Sequence, residues 1–193
     1  MKWMTICTTT ASLSLVIAGL LVLAGCGDAS KPATPEGGTG PKVSLPEGLF
    51  VTQAPDSAKD VTAAKQDAKP GEMIVVRGRI GGKQPFVKGR AALTLYDPAL
   101  VACDEMPDHG CPTPWDFCCE KKESHVDNTA SIQVLGPDGK VLAADLEGAS
   151  GLAPLDLLVV EGTVDSTSQS PVLIVNAKSI FIEKRGADRK KAD

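Results

Sequence analysis

The chain has 193 residues, a formal net charge of −4 and only 4% aromatic residues. That length holds one ordinary domain with short appendages, and 20 Lys plus Arg against 24 Asp plus Glu lack the basic footprint of a nucleic-acid binder. Frequent valine, isoleucine, glycine and proline suit short strands and many turns rather than a helical bundle.

Lys2 precedes an apolar run from Ala11 to Leu23, broken only by Ser12, Ser14 and Gly19. A run this short reads as the core of an export signal, because a membrane span needs roughly 20 predominantly apolar residues. It ends in Leu23-Ala24-Gly25-Cys26, small residues leading to a cysteine. This tetrapeptide resembles the bacterial lipobox. The resemblance implies that residues 1–25 are a lipoprotein signal peptide that is removed, taking Cys7 with it. Cys26 then becomes a lipidated first residue. A chain so acylated is held by the membrane from its extracytoplasmic side, in the cell envelope, and two or three acyl chains hold far more firmly than one.

Residues 26–47 read GDASKPATPEGGTGPKVSLPE after the cysteine and contain almost no large apolar side chain. Such a stretch cannot bury enough surface to fold, so it is expected to be a flexible linker between lipid and domain. Asp56 to Ala68 then reads as one short helix. Ser57 and Asp60 resemble a capping box, while Ala58, Val61, Ala64 and Ala68 form a narrow apolar stripe. Lys69-Pro70-Gly71 stops it.

Strands follow. Met73 to Ile80 puts Ile74, Val76, Gly78 and Ile80 on one side, with Met73, Val75, Arg77 and Arg79 on the other. Gly81-Gly82 opens a turn that runs to Lys88-Gly89. Arg90 to Tyr96 is a second strand, with Ala91, Leu93 and Leu95 facing one way. Thr129 to Leu135 is a third, closed by the turn Gly136-Pro137-Asp138-Gly139. A further short helical stretch fits Ala143 to Gly151. Leu157 to Val164 is the fourth strand. Pro171 to Ala177 and Ser179 to Ile182 make a fifth, bent at Asn176 to Lys178. The tail, residues 184–193, is charged and expected to be solvated, with contact to anionic headgroups as the alternative.

Five strands behind a small alanine-rich helix suggest a mainly β, closed five-stranded barrel over residues 48–183. The Pro-Gly turn leading into Met73-Ile74-Val75-Val76-Arg77-Gly78-Arg79-Ile80, with the same cadence in Val159-Val160-Glu161-Gly162-Thr163-Val164, resembles exported bacterial OB-fold domains. A β-sandwich is the competing architecture. The chain departs from the plain OB pattern by a cysteine-rich insertion, residues 97–128, between the second and third strands. It is too long for a passive hairpin loop.

The insertion carries Cys103, Cys111, Cys118 and Cys119, with Trp115 and Phe117 as local apolar mass. An even number of cysteines in an exported chain favours two structural disulfides. Direct pairing of Cys118 with Cys119 closes a strained ring, so Cys103 and Cys111 are each expected to take one of them, in either order. The alternative is a thiol-redox or metal site, in which Cys103, His109, Cys111, Cys118, Cys119 and His125 supply ligands to zinc or to a soft ion such as copper(I).

The chain has no Gly-x-Ser-x-Gly elbow, and its two histidines both lie beside the insertion. The carboxylates of Asp104, Glu105, Asp108, Asp116 and Glu120 read as solvated loop charge, not as an acid paired with a base. The first expectation for function is therefore a membrane-tethered, non-catalytic binding or interaction module with no cofactor beyond the lipid on Cys26. The outer face of the first three strands carries Arg77, Arg79, Thr94, Tyr96 and Gln133, suited to an anionic envelope glycan or an acidic protein segment. The rival expectation places the activity in the cysteine insertion and makes the barrel its scaffold.

Overall fold

The computed structural model describes residues 43–106 and 110–191. The signal, Cys26, most of the linker, Asp108 and His109 lie outside the described residues. Two short strands, β1 (Phe50–Val51) and β2 (Lys59–Asp60), and a helix, α1 (Val61–Asp67), come first. They lead into β3 (Met73–Ile80), β4 (Ala92–Tyr96), a second helix α2 (Lys122–Asp127), β5 (Thr129–Gln133), β6 (Leu157–Val164) and β7 (Leu173–Lys184). No helix among the described residues is long and apolar enough to cross a membrane.

Strands β3 to β7 close on themselves. β3 pairs antiparallel with β4, β4 antiparallel with β5, β5 parallel with β7, β7 antiparallel with β6, and β6 antiparallel with β3. This is a closed five-stranded barrel of OB-like connectivity, not a sandwich, and closure removes the open edges that an isolated sheet would leave. β1 adds to β7 and β2 adds to β3, both in parallel.

The alternation legible in the strands is the alternation observed. Val76, Ile80, Leu93, Leu95, Ile132, Leu158, Val160, Val175 and Ile180 are each at most 2% exposed and fill the barrel. Arg77 and Arg79 point outward between them. The bend expected in the last strand is a bulge: Glu161 pairs with Ser179 and Gly162 with Ala177, leaving Lys178 as the extra residue. A side chain at Gly162 would put its Cβ 2.4 Å from the Asn176 carbonyl oxygen, so only glycine permits this close approach.

Two sequence expectations about the helix need correction. It begins at Val61 rather than near Asp56, with β2 occupying the residues before it. Ser57 and Asp60 form no capping box: Ser57 sits at φ +63, and Asp60 makes no side-chain cap. The cap comes from far along the chain. The Thr62 amide donates to Asp97 Oδ2 at 2.8 Å, and Asp97, at the end of β4, is 4% exposed. Val61 and Ala64 are buried, and Gly78 leaves the room in which Val61 and Leu95 meet. The stretch expected as helix over residues 143–151 is a single 3-10 turn, Ala149–Gly151.

Candidate functional site

Backbone hydrogen bonds fold the insertion back along itself. The amides of Cys103 and Asp104 donate to the carbonyls of Asp116 and Pro114, at 2.9 and 3.0 Å. The segment starting at Cys103 therefore lies beside the segment that leads to Cys118. A second contact docks the assembly on the barrel, where the Gly82 amide donates to the Trp115 carbonyl at 2.9 Å. A Cβ at Gly81 would stand 2.5 Å from Phe117 Cε2, so the expected turn at Gly81-Gly82 also forms the seat of an aromatic ring.

That ring is the anchor. Phe117 is fully buried and stacks on Tyr96 with centroids 4.1 Å apart and planes 6° from parallel. With Ala102 and Leu155 these residues form a small core separate from the barrel interior, and Leu100 and Trp115 pack against it. The insertion thus has an apolar centre of its own in addition to its cysteines.

Four sulfurs meet above this anchor. Cys103 Sγ lies 3.3 Å from Cys118 Sγ, Cys111 Sγ lies 3.4 Å from Cys118 Sγ, and Cys118 and Cys119 are 4.0 Å apart. All four fall within 4.8 Å of one another, and none is bonded to another. A tight turn makes this possible. The Glu120 amide donates to the Phe117 carbonyl at 3.0 Å, so Cys118 and Cys119 are the turn's central residues and both sulfurs face the cluster. In a strand, neighbouring side chains would point to opposite sides.

For comparison, zinc bound at Zn–S of ~2.3 Å sets the edges of its sulfur tetrahedron at about 3.8 Å, whereas a disulfide bond is ~2.05 Å. The spacings of 3.3, 3.4 and 4.0 Å exceed a disulfide bond and come within about 0.5 Å of the tetrahedral edge. Cys118 is nearly equidistant from Cys103 and Cys111, so either could be its partner. Cys103 is buried, Cys111 half-buried, and Cys118 and Cys119 exposed. Hydrogen bonding to Cys118, and then to Cys103, pushes the Cys111 thiol up to about 12.

Among the described residues, no other group of three or more histidine, cysteine or carboxylate side chains converges enough to hold a metal. His125 stands apart from the sulfurs, edge-on to Tyr96 at a centroid distance of 5.9 Å, with Nε2 buried and lacking a hydrogen-bond partner. His109 lies outside the described residues. Two of the carboxylates read as loop charge are structural. Glu105 Oε2 accepts from the Ala102 amide at 2.9 Å and from Arg79 Nη1 at 3.1 Å, and Asp116 Oδ1 accepts from the Phe117 amide at 2.8 Å.

The outer-face residues fare unequally. Arg77 is clamped by both oxygens of Glu183, at 2.7 and 3.0 Å, and by Asp60 at 3.0 Å, and these partners raise its affinity for its proton. Arg79 is 12% exposed and paired with Glu105. Both line a groove of about 530 Å³ with Glu105, Leu155, Glu183 and Lys184. Tyr96 does point outward from the barrel, but the insertion covers it to 7% exposure. Thr94 is half-buried beside it on β4. Gln133 pairs in register with Ala92, at the opposite end of β4 from Tyr96, and donates to Asn176 Oδ1 at 2.7 Å. Arg77 and Arg79 thus share one groove and Tyr96 stands opposite Arg79 in register, while Gln133 lies at the other end of β4.

Compared with protein-family models and with curated proteins, the chain matches none.

Proposed function

We propose that this chain is a lipid-tethered envelope protein whose OB-like barrel carries an all-cysteine metal-binding insertion. The observation that supports it is the convergence of Cys103, Cys111, Cys118 and Cys119 within 4.8 Å, with Cys118 shared between two neighbours. Thiolates favour thiophilic ions, zinc(II) or copper(I), over magnesium or calcium, which take oxygen. The protein's part is to hold four soft donors within 4.8 Å of one another beside a buried aromatic stack. Anchoring through Cys26 and the linker over residues 26–47 would stand this site off the membrane surface.

The binding-module reading has less to rest on. The two arginines it relied on are already engaged by carboxylates, and its tyrosine is covered by the insertion. The groove beside Arg77 and Arg79 is the place where an anionic glycan or protein segment would be sought.

The test uses the chain purified from membranes in detergent, reduced and offered zinc. One equivalent of zinc should remain bound through gel filtration. Cobalt(II) in its place should give the intense absorption of a tetrathiolate site. Cys103→Ser should weaken zinc binding at least tenfold. Peptide mapping that finds two disulfides in the native protein, with no metal uptake after reduction, overturns the proposal. For the anchor, Cys26→Ser should abolish palmitate labelling and release from the precursor form.

A further inference from the structure

We infer that Cys118 is the exchange point of a redox switch in this cluster, through which an external disulfide expels the bound ion. The inference rests on the four-thiolate reading above and adds its regulation. Two observations single out Cys118. It is exposed, as the first sulfur to meet an incoming disulfide must be. It is also central, 3.3 Å from Cys103 and 3.4 Å from Cys111. Cys103 is close but buried. Cys119 is exposed but has Cys118 as its chain neighbour, and a bond between adjacent cysteines strains the intervening peptide.

The chemistry balances as two exchanges. The Cys118 thiolate attacks one sulfur of a low-molecular-weight disulfide R–S–S–R of the glutathione type. A protein–S–S–R bond forms and R–S⁻ leaves. Cys103 or Cys111 then attacks Cys118 Sγ, closing an internal disulfide and expelling the second R–S⁻. Two protein thiolates have given up two electrons, and the external disulfide has gained them. Two of four ligands are lost, and the remaining pair cannot complete a tetrahedral sulfur site. The sulfurs have to close from 3.3 or 3.4 Å to ~2.05 Å. The exposed turn that carries Cys118 can supply this movement without disturbing the barrel. In a compartment where thiols are oxidised, such a site would hold its ion only while reductant keeps pace.

The experiment uses the full chain in detergent, reduced, loaded with zinc and then exposed anaerobically to oxidised glutathione. A chromophoric chelator reads free zinc, and mass spectrometry of acid-quenched samples maps the first disulfide. Zinc release should track that first bond, which should join Cys118 to Cys103 or Cys111. Each single variant lacks a ligand, so the variants are compared in metal-free protein, where Cys118→Ser should slow formation of the first disulfide at least tenfold under the same oxidant and Cys119→Ser should still form its first bond at Cys118. A first bond that omits Cys118, release without any disulfide, or zinc retained by the oxidised protein overturns the switch alone. Failure of the reduced parent to take up zinc, seen before any oxidant is added, overturns the four-thiolate reading and the switch with it.

Discussion

Asp97 illustrates how one buried side chain ties distant parts of the chain together. Its carboxylate accepts from the Thr62 amide at the start of α1 and from the Ala99 amide at the start of the insertion. Burial pushes its proton affinity up, but the hydrogen bonds from Thr62 and Ala99 outweigh burial and leave it below the usual carboxylate range. A depressed carboxylate stabilises the fold above its unfolded value of ~3.9 and loses that contribution as pH falls through the lower folded value. Asp97→Asn should therefore cost about 1.5–3 kcal/mol at neutral pH, the scale of hydrogen bonds to a charged group. The difference from the parent should shrink as pH falls below about 4, where the unfolded chain's carboxylate takes up its proton before the folded one does. Urea unfolding of both proteins across that range checks the sign. The role was not legible in the sequence. Ser57 and Asp60 carry the local capping pattern, yet the helix takes its cap from a residue that only the closed barrel brings near.

At the scale of elements, the insertion behaves as a small body docked on the barrel. Its anchor is the Phe117 ring on Tyr96, seated where Gly81 and Gly82 leave space. Truncating a buried phenylalanine costs about 3–5 kcal/mol in an ordinary core. Here the loss should fall on the insertion alone, because its core is separate from the barrel's. Phe117→Ala should raise amide exchange across residues 102–119 and weaken zinc binding at least tenfold, while the protection of β3, β6 and β7 is kept. Loss of protection throughout the barrel would mean that the two cores are one cooperative unit. Trp115 and Phe117 could be recognised in the sequence as apolar mass near the sulfurs. Their partner could not, because Tyr96 reads as an exposed position on an alternating strand.

For the whole molecule, closure of the barrel makes the scaffold independent of the cysteines. The filling residues come from β3 to β7, α1 and the loops that adjoin them, and no sulfur contributes to that core. Stripping zinc with a chelator from protein loaded as proposed above should leave the far-ultraviolet circular dichroism of the strands unchanged and shift the barrel's melting temperature by less than about 3 °C. It should also increase exchange in the insertion. A chelated protein that unfolds as a whole would place the cluster among the fold's determinants, as in small zinc domains that have no other core.

The alternation of apolar side chains by itself determined the five barrel strands. A residue spacing of two sends every other side chain to one face, wherever the partner strands come from. The cysteine side chains likewise determined the class of chemistry open to the insertion, since softness belongs to sulfur and not to its setting. Which sulfurs would be neighbours was decided only in three dimensions. Cys103, Cys111 and the adjacent Cys118-Cys119 follow no metal-binding spacing. They converge because a hydrogen-bonded hairpin, a tight turn and a ring stacked on Tyr96 fold the path back on itself. The same fold closed off the tyrosine and paired the arginines, because a covering segment and its opposite charges arrive from parts of the chain that local sequence does not connect.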